Sequence, residues 1–262
     1  PKVSDTTLCV GEKIDVTTLV EAPEAGQSLI WCDETGAPLS EPTPFESTTP
    51  GETKYYVKST NGTAESDIAE ITITTVGVGV AKTVPVSYCE DANAEKLVAT
   101  TDVSSLSTFV KADDPSKFEW YLGGVKLDES ALIPSTSKVS STTTNTYKVV
   151  PTYTISSNHV CKGDTADLDV TVKHIDAPAV NNVITYTLGD TLTDGSFKSL
   201  LTQDPSAVTP GKDMTLVWYD ENMSELKSEP IPSADKSMTT DVKLKYYVSQ
   251  KDADGCESVL SD

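Results

Sequence analysis

Residues that alternate between apolar and polar side chains form the clearest pattern along this chain. Residues 68–73 (IAEITI) and 166–172 (ADLDVTV) both follow it. Strict alternation with a period of two is typical of a β-strand with one buried and one solvated face. The period of 3.6 residues that marks an amphipathic helix is weak throughout. The pattern therefore predicts an all-β protein.

A longer pattern occurs three times along the chain. Each copy has an apolar strand ending in tryptophan, then a stretch rich in proline, serine and threonine, then a strand containing tyrosine. The tryptophans are Trp31, Trp120 and Trp218, separated by 89 and 98 residues. A repeat of this length holds the roughly seven short strands of an immunoglobulin-like sandwich. We predict three tandem immunoglobulin-like β-sandwich domains in an extended array.

The repeats set the expected domain boundaries. They are residues 1–76, 77–176 and 177–262, with proline-containing linkers at residues 83–86 and 176–180 because proline interrupts strand pairing. By analogy with the other two copies, we expect most of the last strand of the third domain to lie beyond residue 262. This suggests a segment taken from a longer array.

The equivalent positions of Trp31, Trp120 and Trp218 predict buried core residues on central strands. The alternative is a lectin-like surface on which the rings stack against sugars. Tyr121 and Tyr219 are better candidates for exposed aromatic residues, because neighbours on a strand face opposite ways.

The charge of the chain argues against several classes of partner. The 40 acidic and 20 basic residues give a net charge of −20 and a pI near 4.3, and every basic residue is lysine. Such a surface repels phosphate backbones and anionic lipids, so we expect no nucleic-acid partner. No apolar stretch approaches the roughly 20 residues of a spanning helix, so we expect no membrane insertion. Residues 1–5 do not resemble a signal peptide.

Several short runs resemble the tandem immunoglobulin-like modules of Bacteroidetes secreted and cell-surface proteins. They are Tyr88-Cys89, the Trp-Tyr pair of the second and third copies, residues 246–250 (YYVSQ) and residues 255–258 (GCES). Such modules occur in very large adhesins, including gliding-motility adhesins, and as spacers in secreted enzymes, and many are exported by the type IX route. The resemblance covers the whole chain but specifies a module rather than a ligand.

This resemblance implies a disulfide between the opening cysteine of a module and the cysteine near its last strand. The second copy alone has both, so we expect a Cys89–Cys161 bridge. The first copy has Cys9 but Ala64 at the second position, which leaves Cys32 as the expected partner of Cys9.

The third copy has Cys256 near its last strand but Thr187 at the opening position, so we expect Cys256 to be free. Disulfides persist in oxidising compartments, which favours an extracellular location. The alternative is an intracellular protein with five reduced cysteines. No CxxC pair is present, so a zinc site has no support from the cysteine spacing.

Histidine is scarce, and only one of the two suggests chemistry. His159 lies two residues from Cys161, a spacing compatible with a Cys–His dyad or a metal site. Two ligands do not close a zinc site, so we interpret His159 as a loop residue beside a disulfide. His174 ends a predicted strand and has no obvious partner.

Acidic residues near the end of the chain suggest a cation site. Asp252, Asp254 and Glu257 resemble half of a calcium loop, since alternate oxygen ligands can surround a hard cation. The Asp-Gly pair at 254–255 is equally typical of a hairpin turn, and both interpretations stay open. Paired carboxylates could also suggest a glycosidase, but no two of them are marked as facing each other across a cleft.

Three short runs match an O-glycosylation pattern of secreted Bacteroidetes proteins. They are residues 5–7 (DTT), 164–166 (DTA) and 190–192 (DTL). Threonines at strand edges without any sugar explain the same runs.

These features favour a non-catalytic segment of a large cell-surface adhesin or surface structure, acting as a stalk or presentation array. We expect no catalytic residue, metal or cofactor, and other modules of the same long chain as partners. The alternatives are a module that binds carbohydrate or host protein through sandwich-end loops, with residues 101–116 as the longest candidate, and a spacer of a secreted hydrolase.

Overall fold

The computed structural model describes residues 1–102, 118–181, 183–233 and 237–261. Strands dominate these ranges, which confirms the all-β, immunoglobulin-like fold class. The strands are β1 (Thr6–Cys9), β2 (Lys13–Ile14), β3 (Ser28–Cys32), β4 (Phe45–Glu46), β5 (Gly51–Thr60), β6 (Ala69–Val76), β7 (Val80–Lys82), β8 (Val86–Cys89), β9 (Thr100–Asp102), β10 (Phe118–Leu122), β11 (Val125–Lys126), β12 (Thr143–Ser156), β13 (His159–Lys162), β14 (Ala166–Lys173), β15 (Ala179–Val180), β16 (Val208–Thr209), β17 (Thr215–Tyr219) and β18 (Tyr247–Lys251). Helical segments in these ranges are α1 (Leu200–Gln203) and 3₁₀ turns at Val16–Leu19 and Glu129–Leu132.

The first repeat has a four-stranded sheet with the order β1-β6-β5-β3. Strands β6, β5 and β3 are antiparallel neighbours, in the arrangement of the three strands that form one sheet of an immunoglobulin sandwich. The opening strand β1 instead runs parallel to the last strand β6, from the pair Thr6–Ile73 to the pair Cys9–Val76. This pairing brings the opening cysteine to the far end of the last strand.

Alternating side chains of this sheet form the core of the first repeat. Ile71 and Ile73 of β6 have no exposed surface, and they pack with Trp31 of β3 and Val57 of β5. The remaining members of the cluster are Leu8, Val16 and Val20. Burial of alternate residues in β6 confirms the orientation that the sequence pattern predicts.

The second repeat has a sheet with the order β11-β10-β12-β14-β8, and β13 pairs with the end of β12. Its opening strand β8 is again parallel to its last strand, and Cys89 is paired with Lys173 of β14. Its buried alternating residues in β14 are Leu168, Val170 and Val172.

The third repeat forms two short sheets, β15-β16 and β17-β18. Trp218, Val248, Leu200, Ala207 and Val208 make its core. The capping side chain at the start of α1 is Ser199, whose hydroxyl accepts a hydrogen bond from the backbone N–H of Thr202.

One strand pairing is identical in all three repeats. In each repeat the tryptophan lies opposite a valine two residues after the repeated tyrosine, in the pairs Trp31–Val57, Trp120–Val149 and Trp218–Val248. These tryptophans are 8%, 5% and 7% exposed, so they lie in the interior of the protein.

The chain divides into two compact units. The first contains residues 1–85, 96–133 and 146–169, and the second contains residues 86–95, 134–145 and 170–262. The middle repeat contributes residues to both, so the domain boundaries drawn from the sequence stay a prediction.

A glycine in the first unit permits a close approach of two chain segments. A Cβ atom added at Gly163 would overlap the carbonyl oxygen of Gly79, and it would lie 2.9 Å from Cγ of Pro151 and 3.0 Å from the carbonyl oxygen of Val78. Because two of these three partners are rigid, a side chain at this position has no space without movement of the backbone.

Candidate functional site

A disulfide joins the first repeat to the second. Cys9 at the end of β1 is bonded to Cys161 in β13, with 5.2 Å between the Cα atoms and 152 residues between them in sequence. Cys9 is placed by the parallel pairing of β1 with β6, and Cys161 by the pairing of β13 with Tyr153 of β12. The bridge therefore rests on two regular sheet pairings rather than on free loops.

A second disulfide joins the second repeat to the third. Cys89 at the end of β8 is bonded to Cys256, also with 5.2 Å between the Cα atoms and 167 residues apart in sequence. The hairpin that carries Cys256 is fixed by Asp252, whose carboxylate accepts hydrogen bonds of 2.9 Å from the backbone N–H groups of Asp254 and Cys256. Gly255 has a φ of +88°, a left-handed conformation that glycine adopts without strain.

The two bridges connect equivalent positions in successive repeats. In each repeat the opening position accepts a turn hydrogen bond from a residue three positions later, as Cys9, Cys89 and Thr187 all do. The hairpin cysteine Cys256 is equivalent to Ala64, since the backbone carbonyl of each accepts a hydrogen bond from the residue that opens its turn. Each bridge thus joins the opening position of one repeat to the last hairpin of the next.

This connectivity corrects the pairing expected from the sequence. Cys9 cannot reach Cys32, because β1 and β3 lie at opposite edges of the four-stranded sheet. Three strand spacings separate such edges by about 14 Å, whereas bridged Cα atoms lie within about 7 Å. The expected Cys89–Cys161 bridge is likewise wrong, since both sulfurs are bonded to other partners.

The bonding states predicted for Cys32 and Cys256 are also wrong. Cys256 is bridged rather than free, and the free cysteine is Cys32, which is 3% exposed in the core. Burial raises the pKa of the Cys32 thiol above its ordinary value. A buried, protonated thiol is a poor nucleophile, so Cys32 acts as a small core residue.

A hydrogen-bonded contact between a histidine and a carboxylate lies beside the first bridge. Nε2 of His159 is 2.9 Å from the Glu12 carboxylate and 3.5 Å from Sγ of Cys9. The same carboxylate accepts a 2.7 Å hydrogen bond from the backbone N–H of Cys9. Glu12 thus links the backbone at one end of the bridge to a side chain near the other end.

An ion pair lies beside the second bridge, and here the hairpin that carries the cysteine provides the carboxylates. Lys173, the partner of Cys89 in the parallel pairing, contacts the carboxylates of Asp252 at 3.0 Å and of Asp254. The hydrogen bonds that the Lys173 ammonium donates to Asp254 and to Asp252 raise the pKa of Lys173 above its ordinary value. Each bridge therefore has a polar contact beside it that joins the same two repeats.

The polar groups near the bridges do not form a complete metal site. Cys9, Glu12 and His159 place three potential ligand atoms within 4.8 Å of one another. Because the Cys9 sulfur is already in a disulfide, only two ligands remain, and two do not close a zinc site. Cys161 is bridged as well, so the His159–Cys161 spacing does not provide a nucleophile.

The calcium candidates are occupied by protein groups. Asp252 and Asp254 contact the Lys173 ammonium, whose positive charge takes the place that a cation would hold. Glu257 accepts a 2.5 Å hydrogen bond from the Ser249 hydroxyl and contacts Lys251 at 3.0 Å. These contacts favour the hairpin interpretation of the acidic run.

The two tyrosines predicted to be exposed are partly buried and bind carboxylates. The Tyr121 hydroxyl donates a 2.7 Å hydrogen bond to Glu119, and the Tyr219 hydroxyl donates to Glu257. Residues 103–117, which include most of the loop proposed as a binding site, lie outside the described residues.

Glu119 is the most strongly perturbed carboxylate that the structure describes. Burial raises its pKa, but hydrogen bonds from Lys126, Lys162 and Tyr121 outweigh burial and lower the pKa to about 2. The carboxylate is 17% exposed, with the Lys126 ammonium at 2.6 Å and the Lys162 ammonium at 2.7 Å. Lys162 adjoins Cys161, so this cluster fixes the strand that carries the first bridge.

A buried pair in the second unit also has shifted pKa values. Nδ1 of His174 lies 2.9 Å from Glu90, and the two side chains are 15% and 10% exposed. The hydrogen bond between them lowers the pKa of Glu90 and raises the pKa of His174. Glu90 directly follows the bridged Cys89, so His174 has a structural partner that the sequence did not reveal.

Comparisons with known proteins leave the function open. No protein-family model matches the chain, and no curated protein matches it in sequence. Similar solved structures include the Ig1-2 module of the Drosophila receptor protein tyrosine phosphatase DLAR, which is 14% identical over 66% of this chain and 97% of that chain, with a TM-score of 0.22.

Two longer structures cover more of the chain. Sidekick-1 immunoglobulin domains 1–4 are 12% identical over 98% of this chain and 72% of that chain, with a TM-score of 0.29. Mouse protocadherin-24 EC1-3 is 10% identical over 100% of this chain and 95% of that chain, with a TM-score of 0.31. TM-scores this low carry no argument about the fold or the function, and both have to be argued from the chain itself.

Proposed function

We propose that this chain is a non-catalytic segment of a cell-surface protein, in which covalently linked immunoglobulin-like modules present other regions of the protein. The observation that carries the proposal is the pair of equivalent bridges, Cys9–Cys161 and Cys89–Cys256. A site for small-molecule chemistry would need convergent reactive groups, whereas these bridges serve to hold neighbouring repeats together.

Two attachments restrict a module far more than one linker does. Successive repeats are already connected by the peptide chain, and each bridge adds a second covalent connection. In the chain-entropy model, closing loops of 152 or 167 residues stabilises the folded state by about 5 kcal/mol for each bridge taken alone. The Glu12–His159 and Lys173–Asp252 pairs add a third contact at each connection.

The setting that suits these bridges is extracellular. Disulfides persist in oxidising compartments, and two of them here enclose most of the chain. No helix in the part of the chain that the structure describes is long and apolar enough to cross a membrane. The net charge of −20 keeps such an array soluble. An adhesin of the Bacteroidetes type is the specific form of this proposal.

The proposal is tested by measuring how far the repeats move relative to one another. Dyes attached through non-natural amino acids at the exposed positions 24 and 227 report the distance distribution by single-molecule energy transfer. We expect a narrow distribution for the oxidised chain and a broader one when serine replaces all four bridged cysteines. The variant Cys32→Ser is the matched control and should not broaden the distribution.

Equal widths with and without the bridges would contradict a presentation array, provided that circular dichroism shows the same strand content in both proteins. A bead-clustered binding screen against glycans and extracellular proteins complements this test. Saturable binding there would favour the alternative role of a recognition module over that of a passive array.

A further inference from the structure

The third repeat has an open apolar groove within the second unit. A cavity of about 690 Å³ lies between Ile184 and Tyr186 on one side and Val242, Leu244 and Tyr246 on the other. We call this cavity the third-repeat groove. Both walls present apolar residues at alternate positions, as strands do when they face a core.

In the first repeat, the position equivalent to the groove is filled by a strand. Ser261 pairs with Val248 as Ala69 pairs with Val57. Ser261 of the third repeat is therefore equivalent to Ala69, the first residue of β6 in the first repeat. From Ala69 the strand β6 continues inward with Ile71, Ile73 and Thr75, which are 0%, 0% and 2% exposed.

The second repeat fills the equivalent position in the same way. Its inward residues on β14 are Leu168, Val170 and Val172, which are 1%, 1% and 2% exposed. Both filling strands therefore place three β-branched or aliphatic side chains at alternate positions, each almost completely buried.

The walls of the groove lack the strand pairing of their counterparts. Residues 183–187 correspond to β1, which pairs along its whole length with β6, and residues 242–246 correspond to the first half of β5, which also pairs with β6. Neither segment of the third repeat forms a strand. Val183 is 77% exposed, and Val242 and Leu244 are each 55% exposed. The other apolar wall residues, Ile184, Tyr186 and Tyr246, are partly buried against the core of the third repeat.

We propose that the third-repeat groove is a strand-acceptor site for an extended peptide with apolar, β-branched side chains at alternate positions. The peptide lies parallel to residues 184–187 and antiparallel to residues 242–246, and it adds backbone hydrogen bonds to both walls. Its three inward side chains enter the cavity beside Trp218. Charged residues at these inward positions are disfavoured, because they would leave water to pack against the apolar side chains of Ile184, Leu244 and Trp218.

The experiment uses a labelled peptide that carries residues 69–76 of this chain (AEITITTV). Fluorescence anisotropy measures its binding to the full chain, and hydrogen exchange locates the protected backbone. We expect saturable binding, with new protection at residues 183–187 and 242–246. A control peptide with aspartate in place of both isoleucines should bind at least about tenfold more weakly.

Two protein variants test the location. Leu244→Asp places a charge in the wall and should abolish binding, whereas Val125→Asp changes an exposed residue of the second repeat and should leave binding unchanged. Circular dichroism checks that both variants keep their strand content. A chain with residues 71–76 (ITITTV) fused directly after Asp262 should no longer bind the labelled peptide, because its own strand occupies the groove.

Several results would overturn the proposal. They are absence of binding by the alternating peptide, equal binding of the aspartate peptide, protection elsewhere in the chain, or undiminished binding by the fused chain. The proposal does not depend on the presentation role, since a peptide can fill the groove whether or not the bridges restrict motion.

Discussion

The two bridges limit how far the unfolded chain can be stretched between its ends. Under force, the shortest covalent path runs from residue 1 to Cys9, crosses to Cys161, returns along the chain to Cys89, and crosses to Cys256 before residue 262. At a maximum of about 3.6 Å per residue, this path of about 86 steps extends to about 310 Å, compared with about 940 Å for the reduced chain of about 261 steps.

The assay is single-molecule force spectroscopy with handles at both ends, with and without a thiol reductant. If Cys89 were instead bonded to Cys161 and Cys9 to Cys32, the shortest covalent path between the ends would have about 166 steps and a maximum extension of about 600 Å. A maximum extension near 600 Å, or equal extensions in oxidised and reduced protein, would refute the connectivity.

Single-bridge variants refine the test. Replacing both Cys9 and Cys161 with serine leaves a covalent path of about 94 steps, with a maximum extension near 340 Å. Replacing both Cys89 and Cys256 with serine leaves a path of about 109 steps, with a maximum extension near 390 Å. The matched control Cys32→Ser should stay near the wild-type value, because that thiol forms no bridge.

Further predictions concern packing and pH. Gly163→Ala should lower the free energy of unfolding in urea by about 1–3 kcal/mol, because the added methyl group meets a backbone carbonyl. In the control Gly211→Ala the added methyl group meets only side-chain atoms, the nearest at 3.3 Å, and the substitution should cost less. The folded-state pKa of Glu119 is lowered to about 2, so the ionised carboxylate should add at most about 3 kcal/mol to the free energy of unfolding. This contribution should be present above pH 4.5 and be lost as the pH falls towards 2. Glu119→Gln should remove this pH dependence, as measured by acid titrations of stability. The advantage of wild type over His174→Gln in thermal melts should be present near pH 6. It should be lost as the pH rises through the raised pKa of His174, and also as the pH falls through the lowered pKa of Glu90. Iodoacetamide should add a single label, at Cys32, and only after unfolding, as measured by intact mass.

The sequence predicts much of the fold because local patterns fix it. The alternation at residues 68–73 and 166–172 identifies β6 and β14. The repeated tryptophan identifies a central strand of each repeat, such as β3, in which Trp31 lies opposite Val57. These features depend on side chains within one repeat, so periodicity is sufficient to find them.

The disulfide connectivity could not be found in this way. Comparing repeats shows which positions are equivalent, but the partner of Cys9 lies in the next repeat rather than in its own. A signal was nevertheless present, since Ala64 and Thr187 leave two opening cysteines and two hairpin cysteines that match when shifted by one repeat. The sheet order that excludes a Cys9–Cys32 bridge becomes known only from the structure.

The polar contacts beside the bridges could also not be predicted from sequence patterns. Glu12 and His159 are 147 residues apart, and Lys173 and Asp252 are 79 apart, so no local spacing connects them. Their positions follow from the parallel pairing of an opening strand with a last strand, a long-range feature that alternation does not encode.

The measurement that tests the central claim most directly is mass spectrometry of the oxidised protein after alkylation and proteolysis without reduction. The account predicts one cross-linked peptide pair containing Cys9 and Cys161, a second containing Cys89 and Cys256, and alkylated Cys32 after denaturation. A peptide pair joining Cys89 to Cys161, or Cys9 to Cys32, would contradict a covalent connection between successive repeats.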